Sequence, residues 1–184
     1  MNLFFRLFRT ILWDLIGRKS IGYLDKSTLK FRVWITDQDA FQHMNNARYM
    51  SITDLSVIDL IIRTGVGAPM RKKGIIPVIV YKNCTYHRML KFPQTYEVQS
   101  RFAAWDGPYV FFEHLFIRKG KLVSESISVG RLVGRKGEKP TVQEAIELLG
   151  WEDVPESPPL TDEQRRVLDK ILAARAEDKA QVSG

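Results

Sequence analysis

An α+β fold, with one helix lying on one face of an antiparallel sheet, is predicted by three observations. A helical run sits early in the chain, where Tyr49, Ile52, Leu55, Ile58, Ile61 and Ile62 recur at three- and four-residue spacing. One strand-like run precedes it. Strand-like runs separated by short turn signals follow it, so the order is strand, helix, meander.

Composition bounds the class. The chain has 184 residues, 45% apolar and 27% charged, which suits one globular domain with a real core. Cys84 is the sole cysteine, which excludes an intramolecular disulfide and a cysteine-rich zinc site. It also fits a reducing compartment. Net charge is +7 and unevenly spread: residues 1–137 hold 22 basic and 10 acidic side chains, residues 138–184 hold 6 and 11. A positive main body suits an anionic partner. No helix-turn-helix, RNP-type aromatic motif or zinc finger accompanies the charge, which argues against nucleic acid.

Residues 1–19 form an amphipathic pattern with Leu3, Phe4, Leu7, Phe8, Ile11, Leu12, Leu15 and Ile16 on one side and Arg6, Arg9 and Asp14 between them. The segment is too short and interrupted to span a bilayer. It also lacks the small-x-small site of a signal peptide. Two readings stand: a helix in a membrane interface with arginines toward anionic headgroups, or a helix packed on its own domain or a partner subunit.

Residues 20–29 read as connector, and Leu29–Ile35 as the first strand. The helix starts at Asn45 or Asn46 and ends near Gly65. Residues 65–74 read as a loop. Ile75–His87, Gln94–Trp105, Tyr109–Arg118 and Leu122–Gly134 are the meander strands, with turns at Asp106-Gly107-Pro108 and Lys119-Gly120-Lys121. Ser124, Ser126 and Ser128 share one face of the last strand. Thr141 with Glu144 predicts a capping box for a short helix stopped by Gly150. Residues 154–159 are a linker by composition. Thr161 or Asp162 caps a final helix through Val167, Leu168, Ile171 and Leu172, and the alanine-rich, charged tail from Ala173 should fray at its end.

The stretch between first strand and helix carries the chemistry: Asp37, Asp39, His43, Asn45, Asn46, Arg48 and Tyr49 within thirteen residues. Unpaired N–H groups at a helix start carry partial positive charge and can hold an oxyanion. A carboxylate beside them can attack a carbonyl or direct water at it. The string Asp-x-Asp-x-x-x-His-x-Asn-Asn-x-x-Tyr resembles the hotdog-fold acyl-CoA thioesterases of the 4-hydroxybenzoyl-CoA thioesterase-like group. His43-Met44-Asn45-Asn46-Ala47-Arg48-Tyr49 is most similar to the thioesterase-superfamily-member-6-like branch. The resemblance covers residues 28–136.

That resemblance implies a single hotdog domain, a curved antiparallel sheet around a central helix, over residues 20–150. The amphipathic helix (1–19) and a linker with C-terminal helix (151–184) flank it. It implies hydrolysis of a fatty acyl-CoA, or of an acyl carrier protein thioester, with no metal and no cofactor. It implies a homodimer or homotetramer with sites at the subunit boundary. A cytoplasmic placement is expected, and the interfacial reading of residues 1–19 would add peripheral contact to a membrane's inner face.

Asp39 matches the family's carboxylate and would act as nucleophile or general base. The N–H groups of His43 to Asn45 would polarise the carbonyl. His43 would hold Asp39, contact the thioester, or simply close the turn. Asn45 and Asn46 would cap the helix, fix the turn or position water. Asp37 would face solvent or pair with Arg48. Asp54 is the reserve carboxylate, or else a partner for a basic side chain. Tyr49 would form wall or support. Arg71, Lys72 and Lys73 would meet CoA phosphates or remain solvated. Ile52, Ile58 and Ile61 would wall the acyl tail. His87 and His114, on strands, would be packed and hydrogen-bonded. A Cys84–His87 nucleophile pair is disfavoured, since the two face opposite sides of a strand. Two other functions compete: a hotdog hydratase or dehydratase using Asp39 and His43, and a non-catalytic, membrane-attached acyl-thioester-binding protein.

Overall fold

The structure is a computed structural model that describes residues 5–8, 10, 12, 19–151 and 153–182. Six strands form one antiparallel sheet. They are β1 (Ser27–Arg32), β2 (Ile76–Lys82), β3 (Thr85–Tyr86), β4 (Thr95–Asp106), β5 (Tyr109–Arg118) and β6 (Lys121–Val133). Their spatial order is β1-β4-β5-β6-β2, with β3 also pairing with β6. The helix α1 (Asn46–Arg63) lies on one face. It packs Tyr49, Ile52 and Leu55 against Phe31, Tyr96, Val98 and Phe116. Farther along, Val57 and Leu60 meet Val110, Phe112 and Leu132. Alternation along β5 sends Phe111 the other way, where it joins Val129 and the final helix.

Several elements differ from the sequence expectation. The first strand stops at Arg32, and Ile35–Asp37 turns as a 3₁₀ helix because the Asp37 carboxylate caps the Trp34 N–H at 2.8 Å. The expected loop at 65–74 contains α2 (Gly67–Lys73), anchored by buried Met70. The long strand at 75–87 is broken. Asn83 takes over the edge of β6 with its side chain, accepting the Ile127 N–H at 2.8 Å, and splits β2 from β3. The capping box at Thr141 and Glu144 is present and opens α3 (Val142–Leu149), which ends at Gly150 with φ 61°. The last helix, α4 (Asp162–Val182), carries the alanine-rich tail as helix to Val182. Its Val167, Leu168 and Ile171 are buried on the sheet face opposite α1.

The N-terminal pattern is helical at residues 5–8. Arg6 and Thr10 are buried, and Leu7 packs against the core under α1. Phe5, Phe8 and Leu12 are exposed. Arg6 therefore points into the domain, which corrects the expectation of an arginine reaching headgroups. The reason is a buried carboxylate, Asp37, waiting beneath it. Arg9 and most other apolar positions of that pattern lie outside the described residues.

Candidate active site

Residues 37–45 close on themselves as a small loop. The Asp39 N–H donates to the His43 carbonyl at 2.9 Å, and the Gln42 N–H to the Asp39 carbonyl at 3.0 Å. Gln42 adopts φ 59°, a left-handed conformation costly for a residue with a Cβ. Asp39 Oδ1 accepts the Phe41 N–H at 2.9 Å and the His43 N–H at 3.3 Å. A local Asx-type arrangement thus holds the carboxylate in place. Among the described residues nothing bonds to its second oxygen, and the side chain is half-buried.

The amides expected to face a carbonyl are otherwise engaged. His43 donates to Asp39, Met44 to the Leu90 carbonyl at 2.7 Å, and Asn45 to the Asp37 carbonyl at 2.8 Å. Each of these three N–H groups thus already has an acceptor that the fold brings to it. Asn45 is the N-cap: its Oδ1 accepts from the Ala47 N–H at 2.9 Å. Asn46 is the first helical residue, and its carbonyl accepts the Tyr86 hydroxyl at 3.3 Å.

Asp37 is 1% exposed and does not face solvent, as one reading had it. It pairs with Arg6 and, at 3.7 Å, with Arg48. Arg48 also donates to the Thr36 carbonyl at 3.3 Å. The Arg6 guanidinium and the Trp34 N–H both bond Asp37 Oδ2, while among the described residues Oδ1 has no hydrogen-bond partner and meets only the Arg48 charge at 3.7 Å. The sequence suggested Arg48; nothing local pointed to Arg6, 31 residues away.

The other candidates are dispersed. Asp54 lies two helical turns beyond Asn46, about 12 Å along the axis. It is exposed and paired with Lys82, which also donates to the Met50 carbonyl at 3.0 Å. Asp39 and Asp54 are thus not one constellation within a protomer. Tyr49 is buried, in ring contact with Tyr86 and Phe116 at 5.0 and 5.1 Å. Burial raises its pKa to about 12, against a backbone hydrogen bond from Leu90. Arg71, Lys72 and Lys73 are exposed on α2, past the far end of α1 from the loop. Cys84 Sγ lies 3.1 Å from Ser124 Oγ, while His87 pairs with Glu125 at 2.9 Å, so these two residues are not joined. No cluster able to hold a metal ion is found among the described residues.

Ile52 is wholly buried in the core. Ile61 borders an apolar cavity of about 70 Å³ with Met70, Phe102, Trp105, Val142 and Trp151. It sits at the C-terminal end of α1 and is small beside the roughly 300–1,000 Å³ typical of ligand pockets.

A polar row that sequence reading did not assemble runs beneath α1. Ser27, Ser100, His114 and Ser126 stand opposite one another on β1, β4, β5 and β6, all buried. Ser100 Oγ lies 2.8 Å from His114 Nδ1, and Ser126 donates to the Asn83 carbonyl at 2.5 Å. Burial, and then the charge of Lys82, lower the His114 pKa to about 3. Burial therefore favours the neutral imidazole. The alternating serines of β6 were the one visible signal.

Residues 33–164 match the thioesterase-like superfamily. The chain belongs to that superfamily. The protein THEM6 of Xenopus laevis is 30% identical over 81 residues, 44% of this chain and 39% of that protein. The chain thus spans less than half the length of this curated relative. Among solved structures, the probable thioesterase YbaW of Escherichia coli superposes with a TM-score of 0.62 at 19% identity, covering 66% of this chain and 95% of that one. A variant 4-hydroxybenzoyl-CoA thioesterase complexed with 4-hydroxybenzoyl-CoA gives 0.59 at 17%, covering 67% and 98%. The fold of this superfamily member is the hotdog: a curved antiparallel sheet around α1.

Proposed function

We propose that the protein hydrolyses acyl-CoA thioesters, with Asp39 as the reacting carboxylate. The observation that carries this reading is the Asp39 carboxylate, held by two backbone N–H groups beside a helix start in a thioesterase-like chain. A carboxylate placed this way either attacks the thioester carbonyl, giving a mixed anhydride and releasing thiolate, or deprotonates the attacking water. With the amides of residues 43–45 engaged, the oxyanion donor is assigned to the Asn46 N–H, one of the unpaired groups of the first helical turn. His43 orients the thioester.

The site is completed across a homo-oligomer boundary. Asp54 stands apart from Asp39 on the exposed side of α1. A partner's surface supplies the apolar slot there. Arg71, Lys72 and Lys73 then meet CoA phosphates held chiefly by the neighbouring protomer. The exposed Phe5, Phe8 and Leu12 rest on a membrane interface, which suits a lipid-like substrate.

Thiol release from a panel of acyl-CoAs tests this, comparing wild type with Asp39→Asn. Turnover that falls at least ~100-fold in the variant, with the fold retained, is expected. Undiminished turnover in Asp39→Asn overturns the assignment and moves the chemistry to Asp54. Binding without turnover at any acyl length overturns hydrolysis.

A further inference from the structure

We infer that the end of the sheet carrying the motif loop is a docking face for an anionic lipid bilayer, built by the domain itself and not only by the N-terminal segment. The last rung of β1 and β4 pairs Arg32 with Thr95, and the β5–β6 hairpin turns at Arg118 and Lys121. Glu97 stands opposite both Lys30 and Ile117, so these strand ends lie at one end of the sheet. The motif loop is tied to the same end through Met44 and Leu90.

Apolar side chains crowd this end without cover. Trp34, Ile35, Phe41, Met89 and Phe92 are between 39% and 79% exposed. The Arg32 guanidinium lies over both the Trp34 and Phe92 rings, at 5.8 and 6.0 Å, joining the two loops into one patch. Arg6 donates to the Arg32 carbonyl at 3.3 Å and pairs with Asp37, so exposed Phe5 and Phe8 flank this patch. An amphipathic aromatic such as Trp34 suits the headgroup level of a bilayer.

The charge is one-sided. Arg32, Arg88, Lys91, Lys119 and Lys121 are exposed here, with Arg118 half-buried beside them. The nearby acids are mostly engaged. Glu97 pairs with Lys30 at 3.3 Å, Glu125 lies 2.9 Å from His87, Asp37 is buried, and one oxygen of Asp39 accepts from its own loop. The acidic C-terminal part joins the other end: the Val142 N–H donates to the Gly107 carbonyl, and Ser157 bonds Trp105. Exposed Ile76 also lies toward that other end, on edge strand β2, where it pairs with Val133. Clustered cations with interleaved aromatics favour an anionic bilayer over a second copy of the same positive surface.

Pelleting of the full chain with vesicles of phosphatidylcholine, with and without phosphatidylserine, tests this. Binding that requires phosphatidylserine is expected. Each cation near an anionic surface is worth about five-fold in partition, so Lys119→Glu with Lys121→Glu should weaken it at least ~25-fold. Trp34→Ser with Phe92→Ser should also weaken it, and Ile76→Ser should not. No phosphatidylserine-dependent binding overturns the proposal. So does binding lost in Phe5→Ser with Phe8→Ser but intact in the hairpin and Trp34/Phe92 variants, which would leave the N-terminal segment acting alone. Pelleting does not depend on turnover, so its outcome is distinct from that of the hydrolysis assay.

Discussion

Arg6→Ala should destabilise the domain far more than an N-terminal substitution ordinarily does. Arg6 is 2% exposed and its partner Asp37 is 1% exposed. Removing one member of a buried pair strands the other charge, at a typical cost of about 3–5 kcal/mol. Asp37 keeps Arg48 at 3.7 Å and the Trp34 N–H at 2.8 Å. The lower end of that range applies, about 3 kcal/mol. For a chain of this size that corresponds to a Tm lower by roughly 6–12 °C. A double-mutant cycle with Asp37→Ala, read by urea unfolding, isolates the pair: the two changes together should cost less than their sum by more than about 1 kcal/mol. An Arg6→Ala loss below about 0.5 kcal/mol, with no coupling, would refute the reasoning, because surface positions behave that way. It would mean that the N-terminal turn does not dock on the motif loop in solution.

Three further outcomes are expected. His114 has a folded pKa of about 3, below its unfolded value, so the unfolded state takes up a proton first on acidification. Stability conferred by neutral His114 is complete above about pH 6.5 and is lost as pH falls toward about 3. His114→Gln should remove up to ~1.4 kcal/mol per pH unit from the slope of stability against pH in that window. Asn45→Ala removes the N-cap of α1 and should cost about 1 kcal/mol in urea unfolding, with Asn45→Ser recovering most of it. Asp54→Ala breaks an exposed pair with Lys82 and should change stability by less than about 1 kcal/mol in the same assay.

By itself the sequence determined what depends on near neighbours. The helix from Asn46, its Asn45 cap, the Thr141–Glu144 box and the Gly150 stop are relations across three or four residues, and each appears in the structure. Strand alternation fixed which residues share a face, so the β4-β5-β6 meander and the serine face of β6 were legible, but the first run of the expected four-strand meander, β2, pairs with β6 and not with β4. The Asp-x-Asp…His-x-Asn-Asn string pointed to the superfamily. Tertiary structure decided whatever joins distant segments. Only docking puts Arg6 on Asp37, since helical periodicity cannot tell an arginine on solvent from one over a buried carboxylate. Register across four strands assembles Ser27, Ser100, His114 and Ser126. Loop closure with Leu90 and Asp37 consumes the amides of Met44 and Asn45, because a buried N–H takes whatever acceptor the fold brings to it. Hydrogen-bond partners of a turn can be close in space and distant in sequence, and for that reason the Asp39 position was readable while the engagement of the neighbouring amides was not.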